Sequence, residues 1–326
     1  MRTIVIPRFG NPDVLETREL PIPEPGTGQV LIHVAYAGVN YADSMARKSG
    51  YNVDILPFVP GHEVSGYVRA IGAGVEGLRV GQPVAALTIE GGYAEFALAN
   101  SVLTFPLDQS SSEIDLVIAA CFPAVVLTSY NLLTDVARVR PGESVLIHGA
   151  AGGIGTTAVQ IARHLKAGLI IGSVGSLDKV PYALSFGYDQ VIRREDFVQT
   201  IQEATAGRGI DIVLDPAGEP TRSQSLSILA PFGRLIVFGN ASGQPAVPVS
   251  PNDLLSNNRA VMGYSLRSLS RSAPHILANT AHKAFELLVN GELHIDITST
   301  LPLEQAAEAH RLIESRESTG KIVLRI

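Results

Sequence analysis

The stretch Val145-Leu-Ile-His-Gly149-Ala-Ala-Gly152-Gly153-Ile-Gly155-Thr-Thr-Ala-Val-Gln160 decides the fold. Residues 144–148 form an apolar run of the buried-strand type. Residues 154–165 then place Ile154, Ala158, Ile161 and Leu165 at helical spacing. The glycines stand where a strand must turn sharply into a helix, and side chains there would block a pyrophosphate. The helix that follows offers unpaired N–H groups and a partial positive charge to phosphates. Glycine spacing alone is weak evidence; the strand before it and the helix after it supply the required context. The competing reading is a tight turn that holds nothing.

Outward from this loop the alternation continues. Residues 169–174 are apolar, a helix is expected near 180–185, and residues 196–204, 210–214, 224–229 and 234–238 extend the pattern. Such βαβ repetition implies an α/β fold with a parallel sheet covered by helices on both faces. The first 120 residues differ. Strand candidates at 30–36, 64–71, 83–87 and 93–99 are separated by Gly72, Gly74, Gly77, Gly81, Gly91 and Gly92, with one helix near 40–48. That spacing suggests a small barrel or sandwich. The last sixty residues mix helices (281–289, 303–313) with strands (294–299, 321–324) that can rejoin the first domain. The expected division is therefore 1–122 plus 266–326 against 123–265.

Composition bounds the function. At roughly 100–200 residues per domain, 326 residues predict two domains, and 46% apolar residues exclude disorder. A net charge of −6 argues against a protein that grips nucleic acid by its phosphates. The longest apolar run, 116–127, is broken by Pro123 and is too short for a membrane span. Met1-Arg-Thr-Ile-Val-Ile-Pro7 lacks the run of a signal peptide, so a cytoplasmic protein is expected. One cysteine, Cys121, excludes an intrachain disulfide and any thiolate-rich metal cluster.

The second strand of the α/β half tells which dinucleotide is expected. An NAD site usually has Asp or Glu there for the ribose 2′-hydroxyl. Here the strand ends Gly172-Ser173-Val-Gly-Ser176-Leu-Asp178-Lys179, small and neutral until the helix begins. These residues leave room for a 2′-phosphate, which Lys179 can neutralise, so NADPH is the expected cofactor. A charged hydrogen bond of about 1.5–3 kcal/mol corresponds to roughly ten- to hundredfold preference. The alternative for Lys179 is an ordinary solvated helix lysine.

At this point the sequence resembles the medium-chain dehydrogenase/reductase superfamily, and within it the zinc-independent quinone oxidoreductase branch. The likeness rests on Gly38-Val-Asn40-Tyr-Ala-Asp43, Pro60-Gly-His-Glu63, Val75-Glu-Gly-Leu-Arg-Val-Gly81 and Ala150-Ala-Gly-Gly-Ile-Gly155. Further markers are Asp215-Pro-Ala-Gly218, Phe238-Gly-Asn-Ala-Ser-Gly243 and Glu314-Ser-Arg-Glu-Ser-Thr-Gly320. The resemblance implies a Rossmann-type doubly wound sheet with a discontinuous GroES-like β-barrel domain, NADPH in the cleft between them, and a homodimer. It also implies that Asn40, Asp43 and Thr128 lie near the nicotinamide and ribose. By the same matching, Gly152, Gly153, Ile154, Gly155 and Ser173 line the phosphate and ribose, and Lys179 and Arg194 meet the 2′-phosphate. Phe238, Gly239, Ser265, Leu266 and Arg316 complete the cofactor contacts. Arg194 departs from a family tyrosine and keeps the charge positive. Helix capping is the other reading of Asn40 and Asp43.

Zinc-dependent relatives carry a Cys where Asn40 stands, a His as in His62, and a third ligand near Ala124. A catalytic zinc needs three protein ligands, and His62 alone survives, so no metal is expected. Cys121 reads as core, and His62 and Glu63 as remnants bonded between strands. Without a metal to polarise a carbonyl, quinones and activated C=C bonds are favoured acceptors over alcohols. Tyr51 matches a tyrosine near the substrate of related 2-enoyl thioester reductases and could donate to a developing oxyanion. A tyrosine packing through its ring is the other reading. The leading expectation is an NADPH-dependent quinone reductase. The rivals are a 2-enoyl thioester or enone reductase and a non-catalytic NADPH-binding protein.

Overall fold

Continuous runs of Val, Ile and Leu without polar alternation need cover on both faces, and strands of this kind pair in parallel. In the computed structural model, which describes residues 1–88, 90–108 and 114–326, six such strands form one parallel sheet. Their spatial order is Gln190–Arg193, Ile170–Val174, Val145–His148, Ile210–Asp215, Leu229–Val237, Ala260–Gly263. In chain order these are the third, second, first, fourth, fifth and sixth, so the winding reverses beside Val145–His148. Ligands of open α/β sheets sit outside the carboxyl ends of the strands at such a reversal. Leu146, Ile171, Val213 and Leu235 pack with Phe197 and Ile201 in its core.

The chain divides into two compact units, Met1–Leu127 with Arg267–Ile326, and Thr128–Leu266. The division falls after Leu127, a few residues beyond the change in sequence pattern at 122/123. Packing explains the offset: Phe122 stands edge-on to both Phe105 and Phe285, which belong to the first unit.

The first unit is built on a seven-stranded sheet. Its longest strand, Gln29–Val39, pairs antiparallel along one side with Glu63–Ile71. Its other side is shared, with Phe96–Asn100 opposite its first half and Lys321–Arg325 opposite its second. The C-terminal segment thus closes the unit, with Ile322 opposite Val39 and Lys321 just beyond, at Asn40. Ile32, Val34, Val64, Val84 and Leu324 form the core beneath.

Three local expectations change. Strand pairing begins at Phe96 rather than at residue 93, because Tyr93 and Ala94 pair instead with the N-terminal segment, where Ile4 N–H donates to the Tyr93 carbonyl (2.9 Å). The helix Leu266–Ser272 has no counterpart among the expected elements; its serines have modest helix propensity and hide it. A helix at Pro251–Asn257 was not expected, although Ser250 caps it (accepting from Asn252 N–H, 3.2 Å) and Pro251 begins it.

Candidate active site

Because the six strands of the second unit are parallel, the residues following each strand gather along one edge. That edge carries the glycine turn 149–153, the segment 175–179, Arg194, the turn 216–218, the turn 238–243 and residues 264–266. Nearly all of the expected cofactor contacts of this unit lie there. The turn is held by the Ser173 carbonyl, which accepts from both Gly149 and Ala150 N–H (3.0 Å each). Gly149 has φ 75°, and Gly152 N–H returns to the Gly149 carbonyl (3.0 Å). A Cβ on Gly155 would come within 2.4 Å of the Gly149 carbonyl oxygen, so only glycine lets helix Gly153–His164 sit this close to the strand. No side chain caps that helix, and Gly152, Gly153 and Ile154 stay partly accessible. Its leading N–H groups are thereby open to an anion.

Ser173 itself takes a different part from the one expected. Its hydroxyl is fully buried against His148 Nδ1 (2.6 Å), whose Nε2 meets the Ser225 hydroxyl (2.9 Å). Burial, aided by the Arg194 charge, pushes His148 down to about 3, so this imidazole is neutral. Ser173 therefore shapes the glycine turn through its carbonyl.

Two cations flank the end of the second strand. Lys179 is 8% exposed, which removes the solvated-lysine reading. Arg194 Nη2 lies so near Gly175 that a Cβ there would be 3.0 Å away. No acid replaces them: Asp178 is tied to the Ser176 hydroxyl on the surface.

The other turns are locked together. Asp215 accepts from Ala217 N–H (2.7 Å), Gly218 N–H (3.2 Å) and Arg222 Nε (2.8 Å), and Arg222 Nη2 donates to the Gly239 carbonyl (2.6 Å). Burial raises the Asp215 carboxyl despite these donors. Arg222 thus fixes Phe238 and Gly239, a role that sequence reading missed; a lone arginine opening the helix after Asp215-Pro-Ala-Gly218 was the available signal. Thr128 is buried and bonds to the Tyr264 hydroxyl, which also accepts from Asn131 Nδ2 (3.3 Å); burial pushes Tyr264 up to about 12. Tyr264 in turn carries Ser265 and Leu266.

In the first unit Asn40 and Asp43 open helix Tyr41–Ser49, and Asp43 Oδ2 accepts from Asn40 N–H (2.9 Å). Capping accounts for only part of what they do. Asp43, fully buried, also accepts from Gly61 N–H (3.0 Å), Tyr93 OH (3.3 Å) and His62 Nδ1 (2.6 Å). Burial alone would raise its carboxyl, but the His62 charge and hydrogen bond outweigh it and hold it low. The same pairing holds His62 above its ordinary value against the opposing effect of burial.

Asn40 Nδ2 donates to Glu63 Oε1 (3.0 Å), while Lys321 Nζ donates to Asn40 Oδ1 (2.8 Å), Glu63 Oε1 (2.9 Å) and the Val39 carbonyl (2.9 Å). Glu63 Oε2 accepts from Ala124 N–H (2.7 Å). Of the three positions matching a zinc site, Asn40 thus bonds to an ammonium group, His62 to Asp43, and Ala124 offers only its N–H, to Glu63. Both ends of the Asn40 amide are engaged and Ala124 has no donor side chain, so the donor set does not fit a zinc ion. Among the described residues no other cluster of three His, Cys, Asp or Glu fits one either. Burial raises the Cys121 thiol far above its ordinary value, and it is a core group.

Tyr51 is 49% exposed, just beyond the left-handed Gly50 that ends helix Tyr41–Ser49. Its charged neighbour is Arg267, which sits 3.6 Å from Asp54 and is held below its usual value by burial and by Arg271. Arg316 is exposed, with φ 61° just past helix Ala306–Glu314.

A sheet of order 3-2-1-4-5-6 with a glycine turn, joined in one chain to a discontinuous β unit, defines a dinucleotide-binding dehydrogenase or reductase. Residues 153–282 match the model for zinc-binding dehydrogenases, and residues 26–109 that for the alcohol dehydrogenase GroES-like domain. The chain is 33% identical to the quinone oxidoreductase of Homo sapiens over 99% of its own length and 97% of that protein's. It is 32% identical to a 2-haloacrylate reductase of a Burkholderia species, covering 98% and 97%. The crystal structure of Escherichia coli quinone oxidoreductase complexed with NADPH superposes with a TM-score of 0.92 at 29% identity, covering 100% of both chains. This chain belongs to the medium-chain dehydrogenase/reductase family, in its zinc-independent quinone oxidoreductase branch.

Proposed function

We propose that this protein is an NADPH-dependent oxidoreductase that passes hydride to quinones without a metal. The observation that carries the reading is the pair of cations, Lys179 nearly buried and Arg194 beside Gly175, at the end of the second strand. A 2′-phosphate needs such charge, and a 2′-hydroxyl does not. Bound NADPH would supply the hydride. The glycine turn would hold its pyrophosphate, with Gly152, Gly153, Ile154 and Gly155 at the helix end. Phe238, Gly239, Thr128, Ser265 and Leu266 would flank the nicotinamide half; Asn40, Asp43 and Arg316 are carried as further cofactor contacts by the family resemblance. A quinone that accepts hydride spreads the new charge by conjugation, so it does not need a Lewis acid.

A second reading, reduction of an enone or 2-enoyl thioester, is favoured by Tyr51 standing beside the Arg267 cation, where a developing oxyanion could be met. The likeness to a 2-haloacrylate reductase supports it as well. The reading includes a cytoplasmic homodimer, with Ala260–Gly263, the last strand of its sheet, as the pairing edge. No helix among the described residues is long and apolar enough to cross a membrane.

Absorbance of NADPH, followed with 1,4-naphthoquinone and separately with a crotonyl thioester, tests the proposal. Turnover is expected with the quinone, to be faster with NADPH than with NADH, and to survive exhaustive dialysis against a chelator. Tight NADPH binding with no consumption by either acceptor would establish a binding protein instead. Loss of turnover that zinc restores would overturn the metal-free reading.

A further inference from the structure

A carboxylate buried against an imidazole is a costly arrangement for a structural remnant. Asp43 is fully buried, and its Oδ1 lies 2.6 Å from His62 Nδ1. Asp43 is held from three other directions by Asn40 N–H, Gly61 N–H and Tyr93 OH. That geometry fixes which imidazole nitrogen faces the carboxylate and turns Nε2 away from it. Among the described residues no hydrogen-bond partner takes Nε2, and the His62 side chain keeps 13% of its surface accessible. Behind Asp43 the chain of contacts continues inward through Tyr93 OH to His310 Nε2 (3.5 Å), from His310 Nδ1 to Arg47 Nε (3.2 Å), and from Arg47 to Glu314. The dyad is therefore rigidly backed.

We propose that His62 is the acid that serves the acceptor in this reaction, with Asp43 as its positioning residue. This rests on the quinone-reductase reading above. Asn40 and Asp43 are among the proposed cofactor contacts, and His62 is bonded directly to Asp43. Hydride delivered to a quinone carries two electrons and leaves one carbonyl oxygen as an anion. The His62 Nε2–H would hydrogen-bond to that oxygen as its charge develops and then transfer the proton to it. The N–H bond breaks, an O–H bond forms, and hydroquinone leaves with neutral His62 behind. Water returns the proton, and Asp43 remains a carboxylate throughout.

The charged groups that bear on His62 are Asp43 and Glu63, which favour its protonated form, and Arg267, which opposes it. The first two prevail, so the acid stays loaded to a higher pH than a free imidazole.

His62→Gln is the test, with NADPH and 1,4-naphthoquinone. The variant is expected to lose on the order of 10²-fold in kcat, with NADPH affinity retained. The loss should widen for a less electrophilic acceptor such as an enone. The alkaline fall in wild-type kcat should vanish in the variant. Imidazole NMR of the protein without cofactor gives a readout independent of turnover. His62 should titrate above its ordinary value, and Asp43→Asn should bring it down. An active wild type whose kcat and pH profile are unchanged in His62→Gln would overturn the proposal. A variant with a lowered melting temperature but the wild-type pH profile would assign His62 a structural role only. A wild type that reduces no quinone would overturn the functional reading itself.

Discussion

At the scale of single residues, charge placement is what separates this dinucleotide site from one for NAD. A lysine side chain that is nearly buried costs desolvation, and with the Arg194 guanidinium beside Gly175 at the same strand end, a bound anion such as a 2′-phosphate would relieve that cost. Lys179→Glu should raise the dissociation constant of NADPH by about tenfold to hundredfold while changing that of NADH much less. Fluorescence titration with both nucleotides measures the ratio; equal losses would mean that Lys179 does not face the 2′-phosphate. Lys179 and Arg194 are open to proposal from the sequence because the missing acid is a local fact of one strand end. Sequence reading misplaced Ser173, whose alternation along the strand turns its hydroxyl toward His148 and leaves only its carbonyl for the glycine turn.

Among the elements, the glycine turn and the helix it opens separate two reasons for glycine. A Cβ on Gly155 would strike backbone carbonyls at 2.4 and 2.6 Å, atoms that cannot move without unseating the helix. Gly155→Ala should therefore destabilise the protein by about 1–3 kcal/mol in denaturant unfolding and weaken NADPH binding as a consequence. A Cβ on Gly152 meets only the Gly149 carbonyl oxygen at an ordinary 3.5 Å. Gly152→Ala should thus leave the unfolding midpoint unchanged while binding of NADPH falls, because the added methyl occupies the approach of the pyrophosphate. Loss of stability in both variants, or binding retained in Gly152→Ala, would refute this division. The short helices Leu266–Ser272 and Pro251–Asn257 escaped the sequence reading. Neither carries a long apolar face, which is the signal that periodicity detects.

For the molecule as a whole, buried imidazoles set the response to acid. His148 is held down to about 3 by burial and by Arg194, and His310 down to about 4 by burial. Both stay neutral in the folded chain while the unfolded chain binds protons near the ordinary value of 6.5. Their contribution is complete above that value and is lost as pH falls from it toward the folded values, at about 1.4 kcal/mol per pKa unit. His62, raised in the folded state, acts oppositely: its contribution is present below 6.5 and fades as pH rises through its folded value. The melting temperature should drop by several degrees or more between pH 6.5 and 4, and His148→Gln should flatten that slope. A melting temperature constant over this interval would show that neither imidazole is neutral when folded.

Periodicity, turn residues and one run of glycines suffice to read a parallel dinucleotide-binding sheet and a separate β unit from this chain. Those features answer to local sterics and hydrogen bonding, which act between near neighbours. The gathering of Asn40, Asp43, His62, Glu63 and Lys321 into one bonded cluster is of another kind. It exists because Lys321–Arg325 pairs with Gln29–Val39, a register set by burial across almost the whole length of the chain. The resemblance to zinc-dependent relatives implies that His62 stands without companion ligands. That the Lys321 ammonium bonds to Asn40, and that a buried carboxylate orients the His62 imidazole, follows from packing alone, since a charge inside the fold is settled by whatever the folded chain sets beside it.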